Sequence, residues 1–199
     1  MTLYRANLRL SQKIFSVLSI FEVALRNKVD QHYRAAFLPK LGNDEWLIHA
    51  TSPGGYLTSH GCQTSLQSVQ SALQDLYIGA GYTHDKLVAE LTFGFWRFQF
   101  ASKEFMAAGS SLHLIFSKRP AGTNHTDIFK KLSFVNKIRN RIAHHEPICF
   151  GPANTISSVY AVSHYNAILE LFQWMDVDGD SLLYGIDKVQ TEVAFINGL

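Results

Sequence analysis

Residues 8–36 contain neither glycine nor proline, and this uninterrupted run constrains the fold more than any other feature of the chain. Within it, residues 14–25 are almost all apolar, interrupted only by two serines and Glu22. A helix that is apolar over most of its circumference has to be buried. The sequence therefore predicts a long central helix that Pro39 and Gly42 end.

The remainder of the chain also predicts helices. No stretch shows the period-two alternation of a half-buried strand. Further helices are predicted over residues 64–78, 84–107, 127–145, 157–175 and 187–195, with Thr83 as a helix N-cap and a short helical piece over residues 112–116. The glycine-rich residues 40–64 predict a long loop or short irregular elements, which Trp46 and Leu47 anchor to the core. The fold class that follows is all-α, a helical bundle with long connecting loops.

Length and composition are those of one globular domain covering residues 1–199. With 47% hydrophobic residues the chain can bury a sizeable core, and 13% aromatic residues exclude intrinsic disorder. The N-terminus lacks a signal-peptide layout, and residues 14–25 are too short to span a bilayer. Cys62 and Cys149 form neither a disulfide framework nor a metal-ligand spacing. We therefore expect a cytoplasmic protein without a membrane partner.

Charge is small in total but unevenly placed. The formal net charge of +2 does not mark a general nucleic-acid binder. Residues 118–141, however, hold seven basic side chains and one acid, whereas residues 170–192 hold six acids and one lysine. The basic segment can hold phosphates; a solvated helix face is the alternative reading that stays open for each lysine.

The densest group of functional side chains is the segment Lys-Ile-Arg-Asn-Arg-Ile-Ala-His-His-Glu-Pro at residues 137–147. These residue types suit RNA cleavage, because histidine exchanges a proton near neutral pH and arginine stays cationic to hold a phosphate. On a helix, an apolar stripe is formed by Phe134, Val135, Ile138 and Ile142. Asn140 and His144 fall opposite this stripe, with Arg139 at the margin of their face, so His144 is the predicted catalytic histidine. His145 falls on the stripe itself and is predicted to pack or to cap the helix.

Two neighbours of these residues have supporting roles. Arg141 lies between the apolar stripe and His144, so it is a candidate for substrate binding or for a salt bridge with Glu146. A metal site formed by His144, His145 and Glu146 is disfavoured, because adjacent histidines cannot both point inward from one helix face and no second ligand pair is evident. Residues 176–180 are read as an acidic turn, since glycine takes the fourth place of a calcium loop instead of the sixth. No metal and no cofactor are expected.

Three segments together resemble the Abi-like (abortive infection) family of the HEPN superfamily. They are Phe-Glu-Val-Ala-Leu-Arg-Asn at residues 21–27, Glu-Leu-Thr-Phe-Gly-Phe-Trp at residues 90–96, and Arg-Asn-Arg-Ile-Ala-His-His-Glu-Pro at residues 139–147. The last contains the Arg-x4-6-His signature of HEPN ribonucleases, with Arg139 and His144 as its ends and Asn140 as its polar position. Longer members of the family carry a lead-in before the helix of Glu22 that this sequence is expected to lack.

The resemblance implies a HEPN fold, a homodimer, and a metal-independent endoribonuclease site where two motif helices meet. It implies catalytic roles for Arg139, Asn140 and His144, with Glu22, Arg26 and Asn27 of the first segment as supporting or substrate-binding residues. It further implies a role in phage defence or as a toxin, with RNA as substrate and an antitoxin or another defence protein as a possible partner. The alternative is a non-catalytic HEPN module that binds RNA, a nucleotide or a protein through the same surface.

Overall fold

The computed structural model describes residues 2–79, 81–151 and 155–199, and within these ranges every regular element is helical. The helices are α1 (Thr2–Leu41), α2 (Trp46–Thr51), α3 (Gln63–Ile78), α4 (His84–Glu90), α5 (Phe93–Phe98), α6 (Ser102–Ala107), α7 (His125–Ala143), α8 (Val159–Trp174), α9 (Gly179–Leu183) and α10 (Val189–Asn197). Short 3-10 helices cover Tyr56–Thr58 and Leu112–Ile115, and an isolated antiparallel bridge joins Phe150 to Ile156. The predicted all-α class is confirmed.

Helix α1 is longer than the predicted residues 8–36 at both ends, since it begins at Thr2 and runs to Leu41. The prediction that Pro39 helps to end it is wrong, because Pro39 lies inside its last turn. Proline removes one backbone hydrogen bond, and so close to the end of a helix this loss shortens the helix very little. Gly42, with a φ of +72°, donates its N–H to the carbonyl of Leu38 at 2.9 Å and ends the helix, as predicted.

The single helix predicted over residues 84–107 is wrong, since three short helices occupy this stretch. The backbone turns extended at Thr92 and again at Ala101. On one continuous helix, the buried side chains of this stretch would project in widely different directions, so they could not all face one core. Breaking the helix lets each of them point inward. They are Leu87, Val88, Leu91, Phe93, Phe95, Trp96 and Phe100. The indole Nε1 of Trp96 donates to the carbonyl of Leu91 at 3.1 Å, which satisfies one backbone group freed by the break.

Two predicted connections contain short helices. Residues 40–64 hold α2, and the anchoring of this region by Trp46 and Leu47 is confirmed, because both side chains are buried. In the acidic residues 176–180, Asp178 accepts from the N–H of Ser181 at 3.0 Å and caps α9. Thr83 caps α4 as predicted, accepting from the N–H of Lys86.

The described residues group into two compact units, and α1 and α7 each contribute to both. Unit 1 takes its residues from Met1–Ala24, Phe116–Ala121 and Lys131–Leu199, and unit 2 from Leu25–Ile115 and Gly122–Lys130. The single domain predicted for residues 1–199 stays a prediction.

Unit 1 is built from the first part of α1, most of α7, and α8 to α10. Phe21 and Phe172 meet edge to face, with ring centroids 5.3 Å apart. Arg9 of α1 pairs with Glu192 of α10 at 3.0 Å and lies over the ring of Phe195. Many of the other fully buried side chains of this unit are aliphatic and include Leu10, Ile14, Val17, Leu132, Val135, Ile138, Ile168 and Leu171.

Unit 2 holds a polar network within an aromatic core. Tyr33 contacts the rings of Phe37, Trp46 and Tyr56 at centroid distances between 4.6 and 6.0 Å. Beside them lies the buried carboxylate of Asp30. It accepts hydrogen bonds from Trp46 Nε1, His84 Nε2 and Arg34 Nε, each 2.7 Å long.

Candidate active site at the end of helix α7

Helix α7 is a well-defined helix from its first residue to its last. At its start Asn124 and Asp127 form reciprocal side-chain caps: Asn124 Oδ1 accepts from the N–H of Thr126 at 2.8 Å, and Asp127 Oδ2 accepts from the N–H of Asn124 at 3.2 Å. Further along, the predicted apolar stripe is confirmed at Val135 and Ile138, which are fully buried, whereas Phe134 and Ile142 are half-buried. Capping and burial together fix the helix that carries the motif.

The motif's own residues end this helix in a Schellman cap. The N–H of Glu146 donates to the carbonyl of Arg141 at 2.8 Å, and the N–H of His145 donates to that of Ile142 at 3.1 Å. His145 has a φ of +56°, in the left-handed position usually taken by glycine. The helix therefore ends at Ala143, two residues before its predicted end at His145. Of the two roles predicted for His145, packing on the apolar stripe is wrong and capping of the helix is confirmed. The side chain of His145 is exposed, and this residue caps the helix through its backbone.

Asn140 and His144 lie together on the exposed side of the helix end. Their spacing of four residues places them one turn apart, and the N–H of His144 donates to the carbonyl of Asn140 at 2.9 Å. Both side chains are exposed, in contrast to Ile138 two residues before Asn140. An amide and an imidazole thus stand side by side in contact with solvent.

Arg139 points in a different direction from these two residues. His144 comes five positions after it, so the two side chains leave the helix about 140° apart. Arg139 is half-buried, whereas Asn140 and His144 are exposed. One copy of the chain therefore brings Asn140 and His144 together but directs Arg139 elsewhere.

The side chains of Arg139, Asn140 and His144 are available to bind a ligand. None of them makes a side-chain hydrogen bond or an ion pair with any residue in the described ranges. The side chains of Asn140 and His144 face solvent, where water or a ligand can occupy their hydrogen-bonding positions. These three are held in place by the backbone and left available.

Arg141, in contrast, is fixed on two sides. Its Nε lies 3.2 Å from Glu146 Oε2, the salt bridge that the sequence suggested, and its guanidinium carbon lies 4.7 Å from the centre of the Tyr160 ring on α8. The side chains of Arg141 and Glu146 are still 42% and 51% exposed. Burial raises the pKa of the Tyr160 phenol; the Arg141 charge opposes this rise and Glu146 adds to it, so the ring stays neutral.

Next to Tyr160, one turn further along α8, lies His164, which the sequence analysis did not identify. His164 stacks on Phe134 of α7 with ring centroids 3.7 Å apart, and its Nδ1 donates to the carbonyl of Tyr160 at 2.7 Å. Its Nε2 is buried and has no hydrogen-bond partner among the described residues. Burial lowers the pKa of His164, and the charges of Lys137 and Arg141 lower it further, against the hydrogen bond to Tyr160. The four-residue spacing of Tyr160 and His164 in a predicted helix was the available signal.

A small cavity adjoins the cap. It has a volume of about 250 Å³ and is lined by Leu3, Tyr4, Asn7, His145, Pro147 and Phe150. The side-chain oxygen of Asn7 accepts from the N–H of Ile148 at 2.8 Å, which ties the chain leaving the motif to α1. His145 is therefore at the edge of a mostly apolar cleft.

The other residues of the family resemblance occupy separate places. Glu22 is half-buried on the part of α1 that belongs to unit 1, the unit of the motif. Arg26 and exposed Asn27 belong to unit 2, where Arg26 reaches the carbonyl of Ala89 at 3.5 Å. The aromatic side chains of residues 93–96 are buried in the core.

Part of the basic segment is structural. Lys131 pairs with Glu170 at 2.5 Å and lies over the ring of Trp174, which joins α7 to α8. Lys130 lies 3.9 Å from Asp127, one turn earlier on its own helix. Lys137, on the exposed side of α7, is the lysine placed nearest in sequence to Asn140 and His144.

Comparisons with protein-family models, with curated proteins and with solved structures find no match to this chain. Across the described ranges, no helix combines the length and the apolar character needed to cross a bilayer. The same ranges contain no cluster of three or more His, Cys, Asp or Glu side chains able to hold a metal ion.

Proposed function

We propose that this chain is a metal-independent endoribonuclease of the HEPN type, acting in phage defence or as a toxin in the cytoplasm. One observation carries the proposal: within the described residues, the side chains of Arg139, Asn140 and His144 make no hydrogen bond and no ion pair. They stand at the end of a helix that is otherwise packed and capped. Arginine can hold a phosphodiester, an amide can orient it, and a histidine can accept or donate a proton near neutral pH.

The proposed reaction is attack by a ribose 2′-hydroxyl on the adjacent phosphorus. One histidine accepts the proton of the 2′-hydroxyl, a second donates a proton to the leaving 5′-oxygen, and the products are a 2′,3′-cyclic phosphate and a 5′-hydroxyl. Arginine stabilises the charge that grows on the non-bridging oxygens. Asn140, one turn from His144, has the proposed role of orienting the phosphate or the attacking sugar.

The proposed active form is a two-fold dimer with the motif ends facing each other. One chain supplies one His144 and directs Arg139 about 140° away from it, whereas a two-fold axis supplies a second copy of each residue. Exposed apolar side chains on α1 of the same unit supply surface for such a contact: Tyr4 is 66%, Leu8 36% and Phe15 47% exposed. An antitoxin or another defence protein that covers this surface would control the activity.

Purified protein incubated with total RNA in excess EDTA tests the chemistry. We expect cleavage whose products carry 5′-hydroxyl ends, and a loss of at least about 100-fold in rate for His144→Ala, the lower end of the range for general acid–base groups. His60→Ala is the matched control, since His60 is an exposed histidine outside the motif. Cleavage only after adding a divalent metal, or full activity of His144→Ala, would refute the mechanism. RNA binding without cleavage would support the non-catalytic alternative.

Two further measurements separate the roles within the motif. Arg139→Lys keeps the charge but loses the planar fork that holds two phosphate oxygens, so we expect a large loss of cleavage with unchanged thermal stability. Sedimentation or light scattering at micromolar concentration reports the assembly. A stable monomer that cuts RNA at the full rate would disprove the composite site.

A further inference from the structure

We propose that Arg141, supported by Tyr160 and Glu146, is a stacking platform for an unpaired RNA base next to the scissile phosphate, and that Glu146 gives this subsite a preference for guanine. The inference rests on the proposed function, because it assigns the substrate base that the same site holds. It is carried by contacts of Arg141 that the cleavage chemistry does not use.

The guanidinium of Arg141 is a flat group with contacts to two side chains. Its central carbon lies over the Tyr160 ring, 4.7 Å from the ring centre, and its Nε lies 3.2 Å from Glu146 Oε2. Behind the ring, Tyr160 is itself held by His164, whose ring centroid lies 4.2 Å away. A plane fixed in this way loses little side-chain freedom when a second flat group stacks on it.

The platform is exposed where a substrate would need it. Arg141 remains 42% exposed despite both contacts. It is one residue after Asn140 and three before His144, so its side chain leaves the helix about 60° from that of His144. A nucleotide whose phosphate meets His144 would therefore have its base on the side of Arg141. Single-stranded RNA is commonly held by bases that stack on aromatic rings or on arginine planes.

Glu146 supplies the base preference. Its carboxylate is 51% exposed at the edge of the platform and accepts hydrogen bonds without donating any. Guanine presents two adjacent donors, N1–H and the N2 amino group, on its Watson–Crick edge. Uracil presents one donor between two carbonyl oxygens, which a carboxylate repels. A base stacked on Arg141 with this edge toward Glu146 is therefore best satisfied when it is guanine.

The test measures binding apart from cleavage. Short 2′-O-methyl oligonucleotides cannot be cut by this chemistry, because their attacking hydroxyl is blocked. Fluorescence anisotropy would give the affinity of the parent and of Arg141→Ala for an oligonucleotide with one guanine in a uracil background, and for the same oligonucleotide with that base removed. Removing the base should weaken binding to the parent by roughly five- to 150-fold, the usual range for a stacked base. It should change binding to Arg141→Ala by less than about twofold, because the stacking partner is already gone.

Outcomes for this platform and for the nuclease function are distinguishable. Equal penalties for base removal in the parent and in Arg141→Ala, or no measurable binding by the parent, would overturn the platform even if ordinary RNA is cleaved. A penalty confined to the parent would support it even if no cleavage is seen. Glu146→Gln should equalise guanine and uracil at this position, and an unchanged preference would overturn the role of Glu146. Tyr160→Phe, which keeps the ring, should bind like the parent, whereas Tyr160→Leu should behave like Arg141→Ala.

Discussion

Replacing Asp30 by asparagine should destabilise the protein more than any exposed charge change, because this carboxylate is the centre of the polar network in unit 2. Its side chain is 12% exposed and accepts from Trp46, His84 and Arg34 at 2.7 Å each. Burial alone would raise the pKa of Asp30, but the hydrogen bonds from His84 and Trp46 and the nearby positive charges lower it overall. The charged form is thus the one that the fold stabilises.

The magnitude follows from what asparagine cannot do. Its amide oxygen still accepts from two donors, but its NH₂ group faces the guanidinium of Arg34, donor against donor. Removing one partner of a buried ion pair typically costs about 3–5 kcal/mol, and Arg34 is 29% exposed, so water compensates in part. We expect a loss of about 3 kcal/mol, which for a chain of this size lowers the melting temperature by roughly 6–12 °C.

Urea unfolding followed by far-UV circular dichroism would measure this loss. The matched control is Asp85→Asn, since Asp85 also pairs with Arg34, at 2.6 Å, but is 88% exposed. That exposed pair should contribute less than about 1 kcal/mol. The lowered pKa of Asp30 adds a second check: its stabilisation is complete above the unfolded pKa of about 3.9 and is lost as the pH falls through the folded value. The difference between parent and Asp30→Asn should therefore shrink in acid.

If the free energies of unfolding of Asp30→Asn and Asp85→Asn differ by less than about 0.5 kcal/mol, the reasoning is refuted. Burial would then not increase the contribution of the ion pair to stability. A difference that stays constant down to the acid limit of folding would refute the assignment of the charged form.

Two other predictions concern packing and pH. Because burial lowers the pKa of His164, its contribution to stability is complete above the unfolded pKa of about 6.5 and is lost as the pH falls toward the folded value; His164→Phe should flatten the stability profile in this window, and an identical profile would contradict it. A Cβ at Gly55 would stand 2.2 Å from the carbonyl oxygen of His49, whereas one at Gly94 meets nothing closer than 3.6 Å. Thermal unfolding should therefore show a loss of about 2 kcal/mol or more for Gly55→Ala and a change within about 1 kcal/mol for Gly94→Ala, and equal effects would contradict the close approach of His49 to Gly55.

The sequence predicted those features that depend on neighbouring residues. The long α1, its end at Gly42, the cap at Thr83 and the buried stripe of α7 all follow from periodicity, capping chemistry and turn residues. So does the exposed pair of Asn140 and His144, because residues four apart share a face on any helix.

Tertiary contacts decided what local pattern could not. Residues 84–107 break into three helices because their aromatic side chains all have to be buried, and one straight helix would point them in different directions. The positions available for these side chains depend on how the rest of the core packs. By helical spacing, His145 belongs to the apolar stripe. The chain nevertheless leaves the helix at this residue, whose backbone caps the helix end. The hydrogen bond from the N–H of Ile148 to Asn7 then attaches the following segment to α1.

The support beneath Arg141 was equally beyond the sequence alone, since Tyr160 and His164 come from a different helix. Sequence determined which residues line the end of α7, because helical spacing is a property of neighbours. Tertiary structure determined which of them are committed to partners and which are left available, because a partner distant in the chain becomes a neighbour only when the helices pack.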